Sequence, residues 1–155
     1  MKIVVLKFGG TSVGTIEKIK KVTDIIIEYK KKKNKVIVVS SAMSGVTNDL
    51  IKKSKQISNN FIDSEYDVLV SSGEQVACSL IAGRLNHKGF KSRSWLGWQI
   101  PIFTNGPYTN SRIQQVNKNK LLRFLKEGGT PIITGFQGVN MNERVTTIGR
   151  GGSDA

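Results

Sequence analysis

Lys7-Phe8-Gly9-Gly10-Thr11-Ser12 brings a cation, adjacent glycines and hydroxyls together in one short segment. That combination suits an anion. Glycines let backbone N–H groups approach closely, a following helix adds its positive end, and lysine adds a point charge. The same residues also make a plain strand-to-helix turn, with Ser12 or Thr15 as N-cap. On the glycines alone the two readings stand level. The segment is not the G-x-x-x-x-G-K-[ST] loop, because no lysine follows the glycines. A second stretch, Ser40-Ser41-Ala42-Met43-Ser44-Gly45-Val46-Thr47, carries small residues and hydroxyls fit for a polar ligand. Its bland reading makes Thr47 a helix cap. In Ser71-Ser72-Gly73-Glu74, Ser71 and Glu74 have the spacing of a capping box. Glu74 is equally suited to an ammonium group, and spacing does not separate the two. The last stretch, Gly149-Arg150-Gly151-Gly152-Ser153-Asp154, reads either as a free tail or as an anion nest in which Arg150 offers a fork to a carboxylate.

These stretches need elements to hold them. Residues 2–8 form a short apolar run ending at Gly9, which predicts a buried strand and a tight turn. Ile16, Ile19, Val22, Ile26 and Tyr29 recur at helical spacing, so a helix is expected over 15–32. Residues 36–39 are continuously β-branched, as in a strand covered on both faces. The three together make a βαβ unit with a right-handed crossover. Further helices are expected from about residue 48 to a break at Asn59-Asn60, and over 66–70, 73–86 and 116–126. Further strands are expected over 91–95, 102–104 and 131–136. The alternation predicts an α/β fold, a three-layer αβα sandwich around a mainly parallel sheet. Each motif then falls at or near an element boundary. In such sheets ligands sit outside the carboxyl ends of the strands.

Composition narrows the class. At 155 residues and 38% hydrophobic content the chain suits one folded domain rather than disorder. The formal charge of +13 raises nucleic acid or an anionic membrane as partners. Much of the excess, including Lys30, Lys31, Lys32 and Lys33, is read as a solvated helix end, and acidic residues in a missing portion would also balance it. No nucleic-acid-reading motif is present. The single cysteine, Cys78, excludes an intrachain disulfide and is read as core. His87 sits near a helix C-terminus, and Trp95 and Trp98 are read as core or rim. No apolar run approaches the ~18–20 residues of a membrane span. A cytoplasmic protein without nucleic-acid or membrane partners is expected.

Taken in order, residues 7–12 (KFGGTS), 41–50 (SAMSGVTNDL), 72–74 (SGE), 135–139 (GFQGV) and 146–154 (TTIGRGGSD) resemble aspartate kinases of the amino acid kinase superfamily. The resemblance implies the amino acid kinase fold. It also implies ATP-dependent phosphorylation of the β-carboxylate of L-aspartate, with Mg2+ accompanying ATP and no metal ligand from protein side chains. That reaction opens the routes to lysine, threonine, methionine and diaminopimelate. By resemblance, Lys7, Phe8, Gly9, Gly10, Thr11 and Ser12 bind ATP phosphates, with Lys7 neutralising charge on the transferring group. Ser41, Thr47, Glu74, Arg150, Gly151, Gly152 and Ser153 bind aspartate. Lys7, Glu74 and Asp154 form the catalytic set, with Asp154 orienting Lys7.

Members of that family are longer. They continue into an adenosine-binding portion and ACT regulatory domains, so residues 1–155 are expected to be the N-terminal part of a kinase domain. A homo-oligomer or a completing partner chain is expected with it, and low activity for the isolated chain. Two rival readings are a non-catalytic fragment that associates with a partner chain of a kinase, and, within the superfamily, a glutamate or uridylate kinase.

Overall fold

The computed structural model describes residues 2–149. Its first half runs β1 (Ile3–Phe8), α1 (Ile16–Lys31), β2 (Lys35–Ser40), α2 (Val46–Ile57), α3 (Asp63–Val70) and α4 (Ser72–His87). The second runs β3 (Ser92–Trp95), β4 (Ile102–Asn105), β5 (Arg112–Val116), α5 (Asn119–Lys126), β6 (Thr130–Thr134), β7 (Gln137–Val139) and β8 (Val145–Thr147).

The main sheet has the order β1-β2-β6-β3 and is parallel throughout. Alternation along its strands divides the apolar side chains between two faces. Val36, Val38 and Ile132 join Ile19, Val22 and Ile26 of α1 and Ala77, Cys78, Ile81 and Leu85 of α4 in one core. Ile133, Trp95, Ile37 and Val39 face the other way, against Leu121 and Phe124 of α5. Helices on both faces make the three layers that the strand–helix alternation predicted. β1 is an edge strand, and its Ile3 and Val5 are exposed.

A second sheet, of order β5-β4-β7-β8, is absent from the sequence reading. Its β4–β5 and β7–β8 pairs are antiparallel and its β4–β7 pair is parallel. It corrects the helix expected over 116–126: Val116 pairs with Ile102 across the β4–β5 ladder, and α5 starts at Asn119. Leu121 and Leu125 give α5 its buried face without Val116. The strand expected over 131–136 ends at Thr134, because Phe136 takes a positive φ of 66°.

Asp67 joins the two parts of the molecule. It is fully buried on α3. Its carboxylate accepts from Thr147 N at 2.8 Å, Thr147 Oγ1 at 2.7 Å and Thr109 N at 3.0 Å. Neutral donors therefore satisfy this buried carboxylate and pin β8 and the 106–111 loop to α3. Among the described residues no helix is long and apolar enough to cross a membrane.

Candidate active site

Lys7, Gly10, Ser41, Ala42, Met43, Ser44, Gly45, Thr47, Asn48, Glu74 and Phe136 line one cavity of about 360 Å³. Lys7 comes from the C-terminal end of β1, and Ser41 directly follows β2. Gly45 caps α2 in the left-handed region at φ 85°, and Thr47 and Asn48 lie in the first turn of that helix. Glu74 lies in the first turn of α4, and Phe136 follows β6. The cavity thus opens at the carboxyl ends of parallel strands, where helix N-termini also gather. Both features favour an anionic ligand.

Close packing fixes this geometry. Ser41 N donates to Phe8 O at 3.0 Å, which carries the β1–β2 ladder into the loop. A Cβ on Gly10 would lie 3.0 Å from Ala42 O, and one on Gly73 would lie 2.9 Å from Ala42 Cβ. The Gly9 turn, the Ala42 loop and the start of α4 can approach this closely only because these positions lack side chains. Ser12 N donates to Gly9 O at 2.9 Å, closing the turn, and Thr15 caps α1 by accepting from Lys18 N at 3.2 Å.

The structure resolves two readings that spacing left open. Thr47 is not a cap, since Gly45 holds that position. No capping box forms at Ser71 either. Ser71 Oγ donates to Val68 O at 3.1 Å, while Glu74 Oε1 reaches across to accept from Ala42 N at 3.2 Å. Glu74 is 3% exposed, and its Oε2 has no hydrogen-bond partner among the described residues. Burial pushes its carboxyl up to about 7, against the lowering effect of backbone donors at Glu74 and Ala42. Desolvation outweighs the helix N-terminus, whose pull on a carboxylate is only about 0.3–1 kcal/mol at the surface. A buried carboxyl with a spare oxygen, facing a polar cavity, is suited to receive a cation.

Phe8 turns toward the main core, and Gly9, Thr11 and Ser12 lie on the turn beside the cavity rather than among its lining residues. Arg150, Gly151, Gly152, Ser153 and Asp154 lie outside the described residues. Phe136, Met43 and Asn48 line the cavity without having been singled out by residue type. Phe136 lay within the GFQGV segment, but nothing in its type signals a wall position. Cys78 is buried against the sheet, and burial lifts its thiol up to about 12, with the Glu74 charge adding to the effect. It is core, as its helical spacing implied.

The family model for the amino acid kinase family matches residues 2–155. The chain belongs to the amino acid kinase family. Among its relatives in that family, an aspartokinase of Geobacillus stearothermophilus is 47% identical over 154 residues, covering 99% of this chain and 38% of that protein. An aspartokinase of Rickettsia conorii is 45% identical over 157 residues, covering 99% of this chain and 39% of that protein. The chain therefore spans under two-fifths of the length of these curated relatives. Among solved structures, an aspartate kinase from Synechocystis superposes with a TM-score of 0.81 at 37% identity, over 99% of this chain and 25% of that one. Aspartokinase III of E. coli, in complex with aspartate and ADP, superposes with a TM-score of 0.83 over 99% of this chain and 45% of that one. At 24% identity that likeness speaks for the fold alone. Both superpositions agree with the amino acid kinase architecture described above.

Proposed function

We propose that residues 1–155 are the phosphate- and amino-acid-binding part of a kinase that transfers the γ-phosphoryl group of ATP to the β-carboxylate of L-aspartate, giving 4-phospho-L-aspartate. The observation that carries this reading is the shared cavity: Lys7, Gly10, Ser41, Thr47 and Glu74 face one space. The names of the related aspartokinases support the choice of acceptor.

The chemistry asks little of acid–base groups. The acceptor carboxylate, with an ordinary pKa near ~3.9, is already ionised at neutral pH. It needs in-line positioning and positive charge opposite the transferring group. In this reading Lys7 supplies that charge. Gly9 and Gly10 cradle phosphate oxygens through the backbone, aided by Phe8, Thr11 and Ser12. Glu74 takes the aspartate ammonium on its open oxygen, and Ser41 and Thr47 hold the polar end of the same substrate. Arg150, with Gly151, Gly152 and Ser153, grips a substrate carboxylate, and Asp154 orients Lys7. Magnesium screens the ATP phosphates and arrives with them. Among the described residues no group of three or more His, Cys, Asp or Glu is gathered to hold a metal, and the cavity's own carboxylate is Glu74.

Calorimetry on the purified chain tests the acceptor. L-Aspartate is expected to bind saturably, L-glutamate and UMP are expected to bind at least tenfold more weakly, and Glu74→Gln is expected to lose the aspartate signal. Tighter binding of glutamate or UMP would overturn the assignment. In an enzyme completed with the adenosine-binding portion, and with ATP present, hydroxylamine trapping of an acyl phosphate reports the transfer itself. Lys7→Ala is expected to lower that yield about 10²–10³-fold while leaving aspartate affinity nearly unchanged.

A further inference from the structure

A second cavity, of about 540 Å³, lies away from Lys7 and Glu74. Arg93, Trp95, Trp98, Gln99, Lys120, Arg123, Phe124 and Glu127 line it, and none of them lines the first cavity. The geometry points to a binding site here for a small anion that carries a flat ring, of the class of a nucleoside monophosphate.

Charge comes first. Arg93, Lys120 and Arg123 bring cations to the wall, against the single acid Glu127. Glu127 is already engaged, since its Oε2 accepts from Lys91 Nζ at 3.1 Å. The lining therefore carries an excess of positive charge. Two of its cations are guanidinium groups, which suit the planar, two-point grip of a phosphate or carboxylate.

Shape and stacking come second. Trp95 is 5% exposed and meets Phe124 edge to face, with centroids 5.9 Å apart. The Arg93 guanidinium lies 4.0 Å from the centre of the Trp95 ring, an arrangement that holds the guanidinium plane. Trp98 is 51% exposed, so a large flat apolar surface stands at the rim, and among the described residues no aromatic pair includes it. A cavity of this size matches small-molecule sites, which run to about 300–1,000 Å³. Trp95 Nε1 adds a third sign. It is a buried donor with no acceptor among the described residues, which is uncommon in a folded protein. It is covered at present, and Arg93 is the side chain stacked on its ring.

The two tryptophans of the chain both line this cavity, so selectively excited tryptophan emission reports on it directly. AMP is the probe, with adenosine, inorganic phosphate and oligo(dT) as comparisons. AMP is expected to change the tryptophan emission saturably at millimolar concentration or below. Adenosine and phosphate, each holding half of the chemistry, are expected to bind at least about tenfold more weakly. Arg123→Glu, an exposed substitution, is expected to weaken AMP about tenfold or more, while Lys7→Ala leaves the emission response unchanged. Calorimetry with Trp98→Ala is expected to give a similar loss of affinity for this site. The proposal is overturned if AMP leaves the emission unchanged, if adenosine matches AMP, or if Lys7→Ala abolishes the response and Arg123→Glu does not. Tight oligo(dT) binding that salt abolishes would mark a nucleic-acid surface instead, and would equally overturn it.

Discussion

Glu74 is where burial and charge pull hardest against each other. With its carboxyl raised from 4.5 to about 7, the folded protein holds a proton that the unfolded chain releases earlier. Stability on this account is greatest at low pH and is lost as pH rises through about 7, by about 3 kcal/mol in all. Urea unfolding near pH 4 and near pH 8 measures this, and Glu74→Gln is expected to remove Glu74's part of the difference. Ligand binding should run the opposite way. An ammonium group wants the ionised form, so aspartate affinity is expected to rise about fivefold from about pH 6 to about pH 7. Proton release, visible as a buffer-dependent heat, should accompany binding. An aspartate affinity flat across that range would remove Glu74 as the ammonium partner. Two glycines separate fold from function in the same way. A Cβ on Gly9 meets nothing within 4 Å, whereas one on Gly73 meets Ala42 Cβ at 2.9 Å. Gly73→Ala is expected to lower stability by about 1–3 kcal/mol. Gly9→Ala should melt no lower than the parent, yet bind ATP more weakly if this turn cradles phosphate. Unchanged ATP binding would take Gly9 out of that role.

Among elements, α3 is small but ties distant segments together. Its Asp67 accepts from the amides of Thr109 and Thr147. Asp67→Asn would turn one acceptor into a donor facing N–H groups. The expected cost is about 2–4 kcal/mol, with faster amide exchange at Thr109 and Thr147 than at the centre of β6. Slow exchange at both would show that the tie is not what holds β8. Nothing in the run Tyr66-Asp67-Val68 distinguishes this carboxylate from a solvated one, since its donors lie 42 and 80 residues away. The second sheet was hidden for a related reason. All of β5 is exposed, and β7 and β8 span three residues each, too few for alternation to register. The elements of the main sheet were legible because each buries a continuous apolar face: Val36 and Val38 toward one side, Ile19, Val22 and Ile26 along one stripe. The site was legible as a set of short motifs, but not as ligand against cap. At Ser71 and Glu74 that choice turned on a contact with Ala42, a residue far away in sequence.

At the scale of the whole molecule, the lysine excess lies where helix physics tolerates it. Lys30 and Lys31 end α1, and Lys30 Nζ donates to Gly128 O at 3.2 Å. The order of the main sheet has a different kind of consequence. β6, the last of its four strands to be made, sits at the centre between β2 and β3. A nascent chain emerging from the ribosome therefore carries bare hydrogen-bonding edges on β2 and β3 until residues 130–134 clear the exit tunnel. Through that interval Val38, Val39 and Ser40 lack their partners Ile132, Ile133 and Thr134, and the half-made sheet is open to mispairing with other chains. Synthesis speed across residues 96–134 sets how long that exposure lasts.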